Sequence, residues 1–364
     1  MIGNHANAPG FAGGYVGVDV FFVISGYVIT QLLLRETSKG IRAGLADFYS
    51  RRIRRIVPAA TATLVLTMFA AELALGPHMN PQLPGDARWA SLFAANLRLI
   101  ETGSNYFVPG TNPSLITQFW SLAVEEQFYL VFPLAIFLIS RYVPPEWRLR
   151  ILRGTLGVAV ALSALWSMNI SASAPTAAYY SPFTRFWELG LGCLLATLTM
   201  RRPTRTARSD HLASAFGVIL LVIALLTLNS TSTYPGALAW LPCGAAVFLI
   251  WAGVADVRTP VGRLLASRPL VYIGDISYSL YLMHYLWLKL PEQLSTPLTG
   301  WGWRLVEIVG TGVTSVLSYH LLENPIRRSR RLAADRVAAF LLLCVCVATS
   351  WMIAALVTRL AHLS

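Results

Sequence analysis

The sequence has few charged residues. Asp, Glu, Lys and Arg make up 13% of its 364 residues, whereas a soluble globular protein carries roughly 25%. Hydrophobic residues make up 55% of the chain and recur in many long runs. This balance excludes an ordinary soluble domain and predicts an integral membrane protein with several spans.

Several catalytic motifs are missing as well. The chain has no Gly-x-Ser-x-Gly elbow, no Walker phosphate loop and no zinc-ligand spacing. Its few cysteines lie in apolar runs without accompanying His ligands, so we interpret them as small hydrophobic residues. They are Cys193, Cys243, Cys344 and Cys346. We therefore expect no metal cofactor.

The net charge of +12 is not spread evenly along the chain. Most basic residues fall in five groups between the apolar runs, at 35–55, 141–153, 201–208, 258–268 and 327–336. These are alternate connections, and the positive-inside rule places such connections on the cytoplasmic side. We interpret the basic excess as membrane topology and expect no nucleic-acid partner.

About ten apolar runs have the length of a membrane span, which takes about 20 helical residues. They lie at approximately 15–34, 57–76, 118–140, 151–168, 183–200, 212–228, 236–253, 271–290, 303–322 and 337–357. With the basic connections inside, the stretch 78–117 becomes an external loop and the C-terminus is external. The predicted fold is all-α, a polytopic transmembrane helix bundle.

The start of the chain does not fit this alternation by itself. Residues 1–14 are too short to span a bilayer and lack the charged and apolar regions of a signal peptide. Because the alternation requires a segment before residue 15, we interpret them as the end of a truncated first helix. A short external start is the alternative.

The run at 118–140 carries two adjacent carboxylates, Glu125 and Glu126. A charge at the bilayer centre costs at least roughly 2.5 kcal/mol, so intramembrane acids usually face a cavity, a partner or a substrate. Adjacent helix positions are about 100° apart, so we expect the two side chains not to face one site equally. The alternative is an interfacial charge cluster.

Four segments place polar residues in apolar surroundings. They are Gly14–Thr30, Phe48–Pro58, Trp120–Leu130 and Ile273–His284. In this order they resemble the acyltransferase-3 family of polytopic membrane O-acyltransferases. Later segments agree with the resemblance, which extends from residue 3 to about residue 330. These are Arg185–Glu188, followed by Gly190 and Gly192, and Leu322–Arg328.

The resemblance implies a bacterial, multi-pass protein of the inner (plasma) membrane. Its expected activity is transfer of an acyl group from acyl-coenzyme A to a hydroxyl of a cell-surface polysaccharide or lipid-linked glycan. Acetyl is the expected acyl group. It divides the chain into an acyltransferase-3 transmembrane domain at 1–330 and one further helix at 331–364. The expected partners are the lipid bilayer, the acceptor glycan and an SGNH-type domain that is separate or missing.

Three kinds of site residue follow from the resemblance. His5 matches a histidine that the family places near the outer end of its first helix, eleven positions after a basic residue. It is the candidate general base, because His titrates in the range useful for taking a hydroxyl proton. Glu125 or Glu126 would assist it. A solvent-exposed terminal histidine is the alternative for His5.

Arg52 and Arg55 lie one helical turn apart and share a face. Guanidinium groups bind phosphates in a two-pronged geometry, and the resemblance implies that this pair binds the charged end of acyl-coenzyme A. Ordinary arginines of a cytoplasmic connection are the alternative.

A further set of polar residues is predicted to line or support a substrate tunnel. The set is Asp19, Ser25, Tyr129, Arg185, Glu188, Ser277, Tyr281 and His284. Arg185 and Glu188, three residues apart, could form an internal ion pair, and Asp19 could cap or pair at a helix start. His284 could face the tunnel or be a satisfied core histidine.

A transporter or flippase, which moves an acyl donor or glycan precursor without chemistry, is the main alternative function. Many spans with intramembrane charges suit that class. The sequence shows no inverted repeat and no matching pair of Gly/Pro-interrupted segments, which speaks against it. A membrane partner of a separate transferase is a third possibility. Release of free coenzyme A with an acceptor present would separate the enzyme from both.

Overall fold

The computed structural model describes residues 1–6, 8–36, 40–106, 114–200, 206–255, 259–294 and 300–361, apart from the side chains at 41, 42 and 255. Within these ranges the regular secondary structure is helical and no strand occurs. Some residues of the predicted basic connections lie outside the described residues, as does part of the predicted external loop. They are Lys39, Arg201, Arg202, Arg205 and Arg258, and loop residues 107–113.

The α-helices follow one another with short connections. They are α1 (Ile2–His5), α2 (Gly17–Glu36), α3 (Ile41–Leu75), α4 (Leu83–Ser91), α5 (Ala95–Glu101), α6 (Phe119–Tyr142), α7 (Pro145–Ile170), α8 (Pro175–Tyr180), α9 (Pro182–Thr199), α10 (Ala207–Thr227), α11 (Trp240–Ala255), α12 (Pro260–Leu265), α13 (Arg268–Asp275), α14 (Ser277–Lys289), α15 (Trp301–Ser318), α16 (Asn324–Arg328), α17 (Arg330–Ala334) and α18 (Arg336–Ala361). Short 3₁₀ turns occur at Ala12–Val16, Gly76–His78, Gly236–Ala239 and Pro291–Gln293, and a π turn at Tyr319–Glu323.

Eight helical segments of the described chain are long and apolar enough to cross a membrane. They are 12–36, 43–78, 119–142, 145–170, 207–227, 236–254, 301–328 and 336–360. Each corresponds to one of the ten predicted spans. The prediction of an all-α polytopic bundle is confirmed, and the chain is a multi-pass membrane protein.

The two remaining predicted spans differ from these eight. The helix α9 has 18 residues and carries Arg185 and Glu188 in its buried face. No single helix covers 271–290, because α13 ends at Asp275 and α14 begins at Ser277. Gly and Asp are poor helix formers, and Gly274 and Asp275 stand at this break. With 13 residues, α14 rises about 20 Å, which is less than the roughly 30 Å of the hydrocarbon core.

Two glycines bring α2 and α9 into direct backbone contact. A Cβ atom added at Gly26 would lie 1.9 Å from the Leu189 carbonyl oxygen, and one added at Gly192 would lie 2.0 Å from the Val23 carbonyl oxygen. Small residues allow helices in a membrane to approach in this way. The contact brings the polar residues of α2 next to those of α9.

Two apolar clusters form the interior of the bundle. The larger one packs α2, α6 and α9 around side chains such as Phe22, Trp120 and Trp187. The second one packs α3 against α4 and α18, with Leu64 and Met68 at its centre. The one-turn helix α1 contacts α14 and the Ala12–Val16 turn. These contacts place His5 inside the bundle.

Candidate active site

A cavity of about 510 Å³ lies between α2, α3, α6, α13 and α14. Much of its wall is apolar, with side chains from both interior clusters, such as Ile29 and Leu122, and from the outer face of α2, such as Val28. Several predicted site residues line it: Ser25, Arg52, Arg55, Glu125, Tyr129, Ser277 and Tyr281. The fold thus brings residues from four separate sequence segments to one apolar cavity.

Arg52 bridges the two adjacent glutamates of α6. Its Nη2 atom lies 2.9 Å from Glu126 Oε1 and 3.3 Å from Glu125 Oε1. The guanidinium carbon also stands 3.9 Å from the centre of the Tyr129 ring. Both carboxylates lie close to the same Nη2 atom of this α3 arginine, although only Glu125 lines the cavity. The pair therefore holds an arginine at the cavity wall.

Glu125 is the more enclosed of the two acids, with 3% of its surface exposed. Its Oε1 atom accepts hydrogen bonds from Ser25 Oγ at 2.8 Å and from the Tyr129 hydroxyl at 2.6 Å, in addition to Arg52. Three donors on one oxygen fix the position of this carboxylate. Among the described residues, neither glutamate makes a hydrogen bond with His5.

Arg55 differs from Arg52 in its surroundings. It lines the same cavity but is exposed, and it forms no ion pair with any residue in the described part of the chain. Its neighbours on α3 are engaged elsewhere: Arg51 pairs with Glu36 at 2.6 Å, and Arg54 donates to the backbone carbonyl of Arg327. Arg55 is therefore a cation of the cavity wall without a carboxylate partner among the described residues.

His5 is buried, with 6% of its surface exposed. Its Nδ1 atom lies 2.8 Å from Nε2 of His284, and its Nε2 atom lies 2.6 Å from the Tyr106 hydroxyl. The two imidazole rings are parallel within 3°, with centroids 5.0 Å apart. His5 is thus not a solvent-exposed terminal residue, and His284 and Tyr106 lie within hydrogen-bond distance of its two ring nitrogens.

Tyr281 connects the histidine pair to the cavity. Its backbone carbonyl lies 2.6 Å from Nδ1 of His284, and its side chain lines the cavity. The Tyr281 hydroxyl lies 2.6 Å from Ser121 Oγ, which also lines the cavity, and donates to the Gln118 carbonyl at 2.7 Å. The histidines therefore lie directly behind one wall residue of the cavity.

Tyr106 was not predicted as a site residue. It follows α5 in the stretch 78–117, where the length of the predicted loop was the only signal of function. Burial raises the pKa of Tyr106 well above its ordinary value, so the hydroxyl keeps its proton at neutral pH. Its ring stacks on Tyr179 with centroids 4.7 Å apart.

Asp19, Arg185 and Glu188 form a buried ionic cluster beside the cavity. Arg185 Nη1 lies 2.9 Å from Asp19 Oδ1 and 2.8 Å from Glu188 Oε1, and all three side chains are almost fully buried. The predicted ion pair between Arg185 and Glu188 is present. None of the three lines the cavity, so they support the site rather than forming its wall.

This cluster also reaches the tyrosines near His5. Arg185 Nε donates to the Tyr179 carbonyl at 2.9 Å, and the guanidinium carbon stands 4.8 Å from the centre of the Tyr179 ring. Because Tyr179 stacks on Tyr106, the ionic cluster holds the aromatic wall against which His5 lies. Cys243 adjoins the two carboxylates, but the Arg185 guanidinium already supplies the positive charge there.

Comparison with known protein families shows which family this chain belongs to. A family described as an acyltransferase domain matches residues 2–323. The chain belongs to this acyltransferase family. The resemblance stated from the sequence motifs is thereby confirmed, and the matched range contains His5, the ionic cluster and every cavity-lining residue except Met1.

Curated relatives point in the same direction. The chain is 30% identical over 342 residues to the peptidoglycan O-acetyltransferase OatA of Listeria monocytogenes, and 31% identical over 339 residues to the O-acetyltransferase OatA of Staphylococcus aureus. It is also 32% identical to YrhL of Bacillus subtilis.

These alignments cover 90%, 89% and 93% of this chain but 54%, 54% and 55% of the relatives. The chain therefore spans about half the length of the curated relatives it matches. No solved structure matches the chain with comparable significance.

Proposed function

We propose that the protein is a membrane O-acyltransferase that moves an acyl group from acyl-coenzyme A to a hydroxyl of a cell-surface glycan, with acetyl as the expected acyl group. The observation that carries this proposal is the buried His5, whose Nε2 atom lies 2.6 Å from the hydroxyl group of Tyr106. This is the geometry that a general base makes with the hydroxyl it deprotonates. The apolar cavity beside it, with an exposed arginine in its wall, suits an acyl thioester that carries phosphates.

The donor is expected to enter the cavity with its charged end at Arg55. Guanidinium groups bind phosphate oxygens strongly because each hydrogen bond is charge-assisted. Arg52 is already held by Glu125 and Glu126, so its main task is to keep the cavity wall in place. This proposal refines the prediction that the pair Arg52 and Arg55 binds the donor.

The reaction needs one proton to move twice. The acceptor hydroxyl gives its proton to Nε2 of His5 while its oxygen attacks the thioester carbonyl carbon. The carbon–sulfur bond then breaks, and the proton passes from His5 to the departing sulfur of coenzyme A. The products are an ester on the glycan and free coenzyme A.

The acceptor proposal rests on the relatives. OatA of Listeria monocytogenes is a peptidoglycan O-acetyltransferase, so we propose peptidoglycan or its lipid-linked precursor as the acceptor. The positive-inside rule places α1 and the loop that carries Tyr106 towards the outside. The protein would then act at the outer face of a bacterial inner membrane.

The test is acceptor-dependent release of coenzyme A. The full chain, purified and reconstituted in vesicles, is given acetyl-coenzyme A with and without glycan fragments. We expect free thiol to appear together with an acetyl ester on the glycan. A transporter or flippase would instead move acetyl-coenzyme A or the glycan across the vesicle with the thioester intact, and that result would overturn the proposal.

A further inference from the structure

A chain of three hydrogen bonds runs through the histidine pair. It begins at the Tyr281 backbone carbonyl, which lies 2.6 Å from Nδ1 of His284. It continues from His284 Nε2 to His5 Nδ1 at 2.8 Å, and from His5 Nε2 to the Tyr106 hydroxyl at 2.6 Å. His284 is fully buried and His5 nearly so.

The Tyr281 carbonyl at one end fixes the donor and the acceptor in each of the three hydrogen bonds. A carbonyl oxygen can only accept, so Nδ1 of His284 must carry the hydrogen. A neutral imidazole carries one N–H, which leaves Nε2 of His284 as an acceptor. Nδ1 of His5 must then be the donor between the two rings, and Nε2 of His5 is left without a hydrogen. The Tyr106 hydroxyl, which keeps its proton, donates to it.

The opposite tautomer of His5 would place two bare nitrogen atoms 2.8 Å apart. Relieving that contact would require a second proton on His284, and a buried charge without a counter-ion is costly. In the part of the chain that the structure describes, neither Glu125 nor Glu126 makes a hydrogen bond with His284. The favourable arrangement is therefore the one in which both histidines are neutral and each carries its hydrogen on Nδ1.

We propose that His284 is a positioning residue that fixes the tautomer of His5, so that Nε2 of His5 is the base and points to the place of the acceptor hydroxyl. The Tyr106 hydroxyl marks that place until an acceptor displaces it. When Nε2 takes the acceptor proton, the positive charge on His5 is stabilised because its Nδ1–H is already donated to His284. This inference rests on the proposed function.

Two substitutions of His284 separate positioning from packing. In His284→Gln the side-chain oxygen can still accept from His5, whereas His284→Leu is of similar size and has no acceptor. Breaking the partner that sets a catalytic histidine's tautomer lowers kcat by up to about 10⁴-fold in a serine protease. We expect His284→Leu to lower kcat at least 100-fold with the KM for acetyl-coenzyme A unchanged. That loss lies within the 10²–10⁴-fold that general acid–base catalysis contributes. We expect His284→Gln to stay within about 10-fold of the parent, because its side-chain oxygen still accepts from His5.

Full activity in His284→Leu, or an equal loss of kcat in a well-folded Gln variant, would overturn the proposal. Folding is checked by elution as a single species and by the thermal unfolding midpoint.

A second measurement does not depend on activity or on either variant. Nitrogen NMR of the full chain, labelled with ¹⁵N-histidine in vesicles, reports which ring nitrogen carries the hydrogen. The His5 signal is assigned by its loss in His5→Gln. We expect His5 to be protonated at Nδ1 and bare at Nε2; the opposite tautomer would refute the inference. If the NMR result holds while no acyl transfer is found, the proposed function fails and the tautomer assignment stands.

Discussion

Arg52 and Arg55, the two arginines of one motif, have different surroundings in the folded protein. They are one turn apart on α3 and line one cavity, yet Arg52 is held by two carboxylates whereas Arg55 is exposed. The Arg-x-x-Arg spacing indicates a shared face. It cannot show that a carboxylate pair from α6 already occupies one of the two, because that depends on how closely α3 and α6 pack.

Replacing Arg55 tests its role in donor binding. A hydrogen bond to a charged group contributes about 1.5–3 kcal/mol, so we expect Arg55→Ala to raise the KM for acetyl-coenzyme A about 10-fold or more. The thermal midpoint should not change, because Arg55 makes no ion pair within the described residues. Arg328→Ala, which removes another exposed arginine, is the matched control. An unchanged KM in Arg55→Ala would remove Arg55 from the donor site.

The histidines mark the limit of prediction for single residues. Family motifs identified His5 and left His284 open between tunnel and core. Tyr106, whose hydroxyl contacts His5, belongs to a loop without a periodic pattern, so no sequence signal placed it there. Contacts between residues 101 and 279 positions apart are a property of the packed bundle.

Among the helices, the contact between α2 and α9 positions the ionic cluster. Gly26→Ala or Gly192→Ala would force a methyl group into a carbonyl oxygen of the neighbouring helix. Overpacking of this kind costs about 1–3 kcal/mol or more, so we expect a clear fall in the thermal midpoint in detergent. Activity should fall too, since α2 carries Asp19 and α9 carries Arg185.

Gly157→Ala on α7 is the control for these variants. A Cβ atom there has no heavy atom within 4 Å, and Ala is the better helix former. We expect no loss of stability in this variant. Equal midpoints for Gly26→Ala and Gly157→Ala would contradict the close packing of α2 and α9.

Most of the helices could be predicted from the sequence because lipid imposes one simple rule. A helix that faces lipid needs about 20 apolar residues, and eight runs meet that need. This requirement does not apply to helices that are enclosed by other helices. Helix α9 is buried by its neighbours and can carry Arg185 and Glu188, while α14 is too short to span and is supported by α15 and α1. Apolar length alone could not predict either feature.

For the whole molecule, the central structural expectation is its orientation. The basic connections should face the cytoplasm, and the loop after α5 should face outward. We expect Glu101→Cys, in a cysteine-free background, to react with a membrane-impermeant maleimide in intact cells. Arg150→Cys, at an exposed site in the N-terminal part of α7 and within the basic group 141–153, should react only after permeabilisation. The reverse pattern would place His5 on the cytoplasmic side and refute acylation at the outer face.

The proposed acyl transfer depends on chemistry at His5. The most direct measurement is acceptor-dependent release of coenzyme A by the reconstituted full chain, compared between the parent, His5→Ala and His78→Ala. His78 is an exposed histidine in the Gly76–His78 turn and serves as the control. We predict that His5→Ala lowers release at least 100-fold, as expected for loss of a general base, and that His78→Ala matches the parent. Release that is undiminished in a folded His5→Ala protein would contradict the account.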